Sequence, residues 1–264
     1  MASNLGGRTI LITGAASGIG AATARRLAAD GARLLLADVN GEGVGRLASE
    51  LDQRAIQVDV TEPETVAHMI NAAYQEWGRL DVVFNNAGIG QAKPLLEITE
   101  ADWDQMLDVN LRAVFFVLQA AAKRMAHQEP IPGSELRGKL VQTASIAAFR
   151  GASPYLGHYA ASKAGVVSIT RTAAQALAPH KITSNCICPG VVDTPLWQKL
   201  DQDWGEIEGW EPGEAWRRRI SGIPLGRPER VDDVAGLVSF LAGADSDYMT
   251  GQAVIIDGGL VMGN

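Results

Sequence analysis

The chain has 264 residues, 47% of them hydrophobic and 20% charged, enough apolar surface for one core without staples and too much for a disordered polypeptide. Acidic residues outnumber basic ones 30 to 23, for a formal charge of -7, and no segment gathers Lys and Arg into a stripe that could neutralise phosphates along a duplex, which argues against nucleic acid as a partner. No basic start leads into a long apolar stretch, and no run of about 18 uncharged apolar residues occurs, so a soluble, cytoplasmic protein with no membrane partner is expected.

Short apolar runs alternate with longer stretches of helical period. Strands are predicted at 9–13, 33–38, 55–59, 80–85, 138–145, 182–188 and 253–257, with helices near 18–30, 41–52, 62–77, 100–127, 154–178 and 229–242. Strands separated by helices call for a parallel sheet covered on both faces. With right-handed crossovers this is an α/β, doubly wound (Rossmann) seven-stranded sheet in a single domain, 1–264, with ligands outside the carboxyl ends of the strands. Two segments interrupt the alternation. "HQEPIPGSELRG" 127–138 reads as a surface loop. Segment 194–220 carries four tryptophans among charges and glycines after the sixth strand; a substrate lid and a plain amphipathic excursion are both open.

"TGAASGIG" 13–20 joins the first strand to the first helix. Gly14, Gly18 and Gly20 let the backbone turn tightly and approach a pyrophosphate, and Ser17, Ile19 and the helix N-terminus complete a phosphate cradle. Asp38, 18 residues beyond Gly20, ends the second strand. A carboxylate there accepts hydrogen bonds from both adenosine ribose hydroxyls and repels a 2′-phosphate. No arginine stands at Ala15, Ala16, Val39 or Asn40, so the expected cofactor is NAD. Asp59 and Val60 end the third predicted strand and Asn86, in "NNAG", follows the fourth; they are expected on the adenine side, with Asn85 and Asn86 also supporting the turn.

In "SPYLGHYAASKAG" 153–165, Tyr159 and Lys163 are i and i+4 on one helix face. A free phenol with a pKa near 10 is a poor base at neutral pH, and a cation one turn away lowers it. Tyr155 lies eight residues from Lys163, about 12 Å along a helix and too far to share that charge strongly. With Ser153 as N-cap and Pro154 as first helical residue, Tyr155 falls in the first turn, as a pocket wall or as packing. His158 points about 100° away from Tyr159 and is assigned no chemistry. Cys186 and Cys188 read as buried strand residues, and the scattered histidines make no ligand spacing, so no metal site is expected.

"TGAASGIG", "NNAG", Asn110 in "DVNLRAVFF", Ser145 in "QTAS", "YAASK" 159–163 and "PGVVDT" 189–194 stand in the order found in short-chain dehydrogenases/reductases, a family that the chain resembles over nearly its whole length. The resemblance implies an oxidoreductase with Asn110, Ser145, Tyr159 and Lys163 as catalytic set. Tyr159 exchanges the proton, Ser145 stabilises charge on the substrate oxygen, Lys163 also binds the nicotinamide ribose, and Asn110 holds a water linking Lys163 to solvent. Val192 and Thr194 are placed against the cofactor's carboxamide and phosphate.

The sequence after "PGVVDT" is similar to NAD-dependent polyol (sorbitol-type) dehydrogenases and the acetoin reductase/2,3-butanediol dehydrogenase group, which implies a small alcohol or ketone substrate, a polyol or vicinal diol. A ketoreductase of larger 3-oxoacyl or steroid substrates and a non-catalytic NAD-binding protein are the alternatives. The resemblance also implies a homotetramer, with helices 100–127 and 154–178 as dimer surfaces and the C-terminal stretch reaching a neighbour.

Overall fold

The structure, a computed structural model, describes residues 5–149 and 153–262. Residues 150–152 of the loop after Ser145 and the final two of the C-terminal stretch lie outside the described residues. The strands are β1 Thr9–Thr13, β2 Arg33–Asp38, β3 Arg54–Gln57, β4 Val82–Asn85, β5 Gly138–Thr143, β6 Ile182–Pro189 and β7 Ala253–Ile256. They form one parallel sheet in the order β3-β2-β1-β4-β5-β6-β7. The order reverses between β1 and β4, and this switch point opens a crevice at the carboxyl ends of the strands.

The apolar runs are continuous because both sheet faces are buried. Ile10, Ile12, Leu34, Leu36, Val82 and Phe84 join one core layer, while their alternating neighbours Leu11, Leu35 and Val83 join the other. The first layer is covered by α1 Gly18–Ala29, α2 Gly41–Leu51 and α9 Val231–Ala242. The second is covered chiefly by α3 Pro63–Trp77 and α5 Ala113–Met125, with part of α6 Gly157–Leu177. Cys186 and Cys188 are buried on β6 in a small cluster with Val166 and Val167.

Several predicted boundaries shift by one or two residues, and three departures shape the site. The stretch 100–127 is α4 Glu100–Leu107, a π-helical turn Asp108–Arg112, and then α5. Here the Ala113 N–H reaches the Asp108 carbonyl, five residues back. Helix α6 starts at Gly157 and not at Pro154, because the Ser153 hydroxyl accepts the Tyr155 N–H at 3.2 Å and closes a turn ahead of the helix. Strand β3 stops at Gln57, and Asp59 takes the Thr61 N–H at 2.9 Å and its hydroxyl at 2.7 Å. That turn leaves Asp59 and Val60 in the following loop.

Segment 194–220 contains α7 Pro195–Glu208 and α8 Glu214–Ile220. Its tryptophans pack together, Trp197 lying 5.5 Å from Trp204 and 5.7 Å from Trp216 between ring centroids. Asp201 joins the two helices by accepting the N–H groups of Gly213 at 2.6 Å and Trp216 at 2.8 Å.

Candidate active site

The turn from β1 to α1 depends on its glycines for steric reasons. Gly14 and Gly18 have φ of +64° and +52°, a region where a Cβ is strained. Any Cβ on Gly20 would lie 2.0 Å from the Gly14 carbonyl oxygen, and one on Gly14 would lie 2.8 Å from Ala87 Cα. With these positions bare, Gly14, Ser17, Gly18 and Ile19 line a crevice of about 590 Å³. Gly20 is buried in the turn behind them.

Asp38 stands on the rim of that crevice. One carboxylate oxygen accepts the Ala16 N–H and the other the Asn40 N–H, each at 2.9 Å. The carboxylate is thereby fixed while each oxygen keeps acceptor capacity for a ligand hydroxyl. Asp59 and Val60 line the same side. Thr13 organises the floor: its hydroxyl accepts the N–H groups of Asn86 at 2.9 Å and Ala87 at 3.1 Å and donates to the Asn85 side chain at 3.3 Å. The Asn86 amide donates to the Thr13 and Gly14 carbonyls and accepts from the Thr143 hydroxyl, each at 3.2 Å. Asn86 thus ties the ends of β1 and β5 together. Sequence reasoning missed Thr13 and Thr143 as organising residues, although each directly precedes or lies within a quoted motif.

Ser145 follows β5 and caps a single 3-10 turn, Ile146–Ala148, accepting the Ala147 N–H at 3.1 Å. Its hydroxyl and the phenol of Tyr159 on α6 line the same crevice, and the hydroxyl favours the ionised phenol. One turn further along α6, the Lys163 ammonium donates to the Thr143 carbonyl at 2.9 Å and lies 5.8 Å from the Tyr159 ring centroid. Burial pushes Lys163 down to about 8. The same cause pushes Tyr159 up, partly offset by the Ser145 hydroxyl. The expected lowering of the phenol by Lys163 is therefore not a property of the protein alone: the shielded surroundings penalise both charged forms.

Asn110 lies in the π turn, fully buried behind the crevice. Its Oδ1 accepts the Ile89 N–H and its Nδ2 donates to the Ile89 carbonyl, both at 2.9 Å, with further contacts to Met106 Sδ at 3.0 Å and Ser162 Oγ at 3.3 Å. The Asn110 amide thereby grips the backbone of the loop after β4. A Cβ on Gly88 would lie 3.1 Å from Asn110 Oδ1 and 3.5 Å from Lys163 Nζ, so the glycine of "NNAG" allows loop, amide and ammonium to converge.

On the opposite wall, Val192 forms a parallel bridge with Glu229, and Thr194 precedes α7 with its hydroxyl 3.3 Å from the Val192 carbonyl. Both line the crevice. Glu229 also accepts the Gly190 N–H at 2.9 Å. Burial is the main cause raising its carboxyl, to about 8. Nothing in the sequence distinguished Glu229 from the surface acids around it.

Tyr155 lines neither this crevice nor the cavity that continues from it. Its hydroxyl donates to Glu208 at the end of α7 at 2.6 Å, and its carbonyl accepts the Lys93 N–H at 2.8 Å. Of the two roles left open for it, support is the one observed. Asp203 makes a second tie from α7, accepting the Ala92 N–H at 3.0 Å and pairing with Lys199. His158 is buried away from the crevice, with Nε2 3.0 Å from Gln91 Oε1.

These residues fit a dinucleotide: glycines hold open a cradle that a Cβ would fill, a helix N-terminus faces it, and a fixed carboxylate stands beyond. Ser145, Tyr159 and Lys163 meet at the far end of the same crevice.

Comparison with known proteins points the same way. Residues 14–261 match the family model described as enoyl-(acyl carrier protein) reductase. The chain is 40% identical over 261 residues to an L-2,3-butanediol dehydrogenase of Corynebacterium glutamicum, covering 96% of this chain and 98% of the relative. It is 38% identical over 263 residues to a 3-oxoacyl-(acyl-carrier-protein) reductase of Thermotoga maritima, covering 98% and 99%. To a sorbitol dehydrogenase of Cereibacter sphaeroides it is 36% identical over 257 residues, covering 97% and 98%. Among solved structures, levodione reductase superposes with a TM-score of 0.85 at 35% identity over 96% of each chain.

Proposed function

This chain belongs to the short-chain dehydrogenase/reductase family, and we propose that it transfers hydride between NAD and a secondary alcohol or ketone, a polyol or vicinal diol. It is an oxidoreductase of a nicotinamide-dependent family. The observation that carries the proposal is the meeting of Ser145, Tyr159 and the Lys163 ammonium in one crevice with the glycine turn and Asp38.

The bound nicotinamide supplies the hydride acceptor or donor. Asp38 holds the adenosine ribose and disfavours a 2′-phosphate; Gly14, Ser17, Gly18 and Ile19 hold the pyrophosphate; Asp59, Val60 and Asn86 flank the adenosine half; and Val192 and Thr194 flank the nicotinamide half. Lys163 binds the nicotinamide ribose. Ser145 holds the substrate oxygen while Tyr159 takes the hydroxyl proton in oxidation and returns it in reduction, a contribution of roughly 10² to 10⁴ in rate. Burial is the main cause raising the phenol; the Lys163 ammonium one turn away opposes it, and a bound NAD+ would add positive charge in the same sense. Asn110 positions the loop behind Lys163. Helices α7 and α8, tied down through Asp203 and Tyr155, cover the substrate end as a lid.

The described residues contain no helix long and apolar enough to cross a membrane, and we place the enzyme in the cytoplasm as a homotetramer. Phe115, Leu118, Ile169 and Ala173 line an apolar groove between α5 and α6, which suits a dimer contact; a monomer by light scattering at micromolar concentration would contradict it.

The proposal is tested by absorbance at 340 nm with NAD+ and NADP+ across diols, polyols, hydroxy acids, 3-hydroxyacyl thioesters and steroid alcohols. NADH formation with small diols or polyols is expected. Reaction of bulky lipophilic alcohols or thioesters alone would replace it with the larger-ketone reading.

A further inference from the structure

Beyond Ser145 and Tyr159 the crevice continues into a cavity of about 190 Å³, with Gly190, Leu196 and Trp197 shared between the two. A substrate whose reacting carbon sits at the Ser145–Tyr159 pair must place the rest of its body there. Leu156, Leu196, Trp197, Leu200, Trp204 and Leu260 are the large apolar side chains of its wall. Among the described lining residues none is Asp, Glu, Asn, Gln or His, the side chains able to accept hydrogen bonds from successive hydroxyls.

Besides Ser145 and Tyr159, which the reacting oxygen engages, the polar side chains on this wall are those of Arg218 and Arg219 and the indole N–H groups. Both guanidinium groups are stacked, Arg218 over Trp210 at 4.3 Å and Arg219 over Trp204 at 4.8 Å, and Arg218 also donates to Glu214 at 2.8 Å. All of these groups are donors without acceptor capacity. A chain of hydroxyls entering the cavity would lose water from each O–H and find few acceptors, whereas alkyl or ring carbons would gain contact with leucine and indole surface.

We infer that the substrate is a vicinal diol, hydroxyketone or diketone whose remaining carbons are alkyl or alicyclic, and that polyhydroxylated chains are poor substrates. The inference rests on the dehydrogenase reading above and divides the polyol from the apolar diol within it. Leu196 and Trp197, which line both the crevice and the cavity, are the specificity-determining residues.

The test is a matched pair of six-carbon substrates, hexane-2,3-diol and a hexitol, assayed with NAD+ on the full-length enzyme. The kcat/KM for hexane-2,3-diol is expected to exceed that for the hexitol about a hundredfold, the usual discrimination of a hydrophobic pocket. Leu196→Asn and Trp197→Gln, both at partly exposed positions, are each expected to shrink that ratio about tenfold, and thermal melts identify the variant that keeps its fold. A hexitol used as well as hexane-2,3-diol, or a ratio unchanged in the folded variants, would overturn the inference while leaving the dehydrogenase reading intact. Absence of turnover with every secondary alcohol would overturn both.

Discussion

Lys163 stands with its ammonium 5.8 Å from the centre of the Tyr159 ring, held there by the Thr143 carbonyl at 2.9 Å. Lys163 is buried and Tyr159 half-buried at the crevice wall, and burial disfavours the charge on each, moving Lys163 down to about 8 and Tyr159 up. The pair is therefore poised for a bound cofactor and not a ready-made phenolate.

A stability consequence follows for the cofactor-free protein. Between pH 8 and the ordinary lysine value of about 10.4, the unfolded chain carries a proton on Lys163 that the native chain has lost, so this group's contribution to stability rises with pH in that window. Below pH 8 the buried cation costs its full penalty. Lys163→Met removes the titration, so the melting temperature of the wild type should gain on that of the variant as pH climbs from about 8 toward 10. A constant difference would refute the assignment.

Asn110→Leu breaks the paired bonds to Ile89 and leaves a half-buried N–H and carbonyl without their partner. The expected cost is about 1–3 kcal/mol, a fall in melting temperature of about 2–4 °C for each kcal/mol. Turnover should fall further than this stability loss explains, because the loop carrying Gly88 packs against Lys163. Circular dichroism melts beside steady-state rates separate the two effects.

Two glycines make an internal comparison. Gly20→Ala would put a methyl 2.0 Å from the Gly14 carbonyl oxygen, while Gly45→Ala in α2 meets nothing within 4 Å. The first should abolish NADH binding, read by fluorescence titration, and lower the melting temperature. The second should stabilise by about 0.4–1 kcal/mol through the unfolded chain and the helix propensity of alanine.

Asp38→Ser removes a charged acceptor fixed by the amides of Ala16 and Asn40. Efficiency with NAD+ should fall roughly tenfold to a hundredfold, the equivalent of one charged hydrogen bond, and efficiency with NADP+ should rise as the repulsion disappears. Unchanged preference in parallel assays would remove Asp38 from the cofactor site.

The sheet was legible because parallel strands buried on both faces must be apolar at consecutive positions; "TILIT" became β1 with the predicted bounds. The crevice was legible because Gly14, Gly20 and Gly88 occupy positions where backbone or buried groups approach too closely for a side chain. The π turn at Asn110 was not, since it is a shift of backbone register that no residue type announces. Ser153 and Pro154 carry the signature of a helix start, yet the serine hydroxyl satisfied Tyr155 locally and delayed α6 to Gly157. The direction of the Tyr159 shift depends on how much protein covers the phenol, a tertiary quantity absent from i, i+4 spacing. The tryptophans of 194–220 left a lid and an amphipathic excursion open, because which neighbours they meet is set by the tertiary fold.

The most direct test of Tyr159 as proton-transfer residue is Tyr159→Phe, assayed in both directions across pH beside NADH binding. In the wild type, alcohol oxidation should rise with pH as the phenol loses its proton, and ketone reduction should fall over the same range. The variant should bind NADH nearly as the wild type does and lose turnover by at least about a hundredfold in each direction. A variant that binds NADH and keeps both the turnover and the pH profile of the wild type would contradict the assignment of Tyr159 as the acid and base.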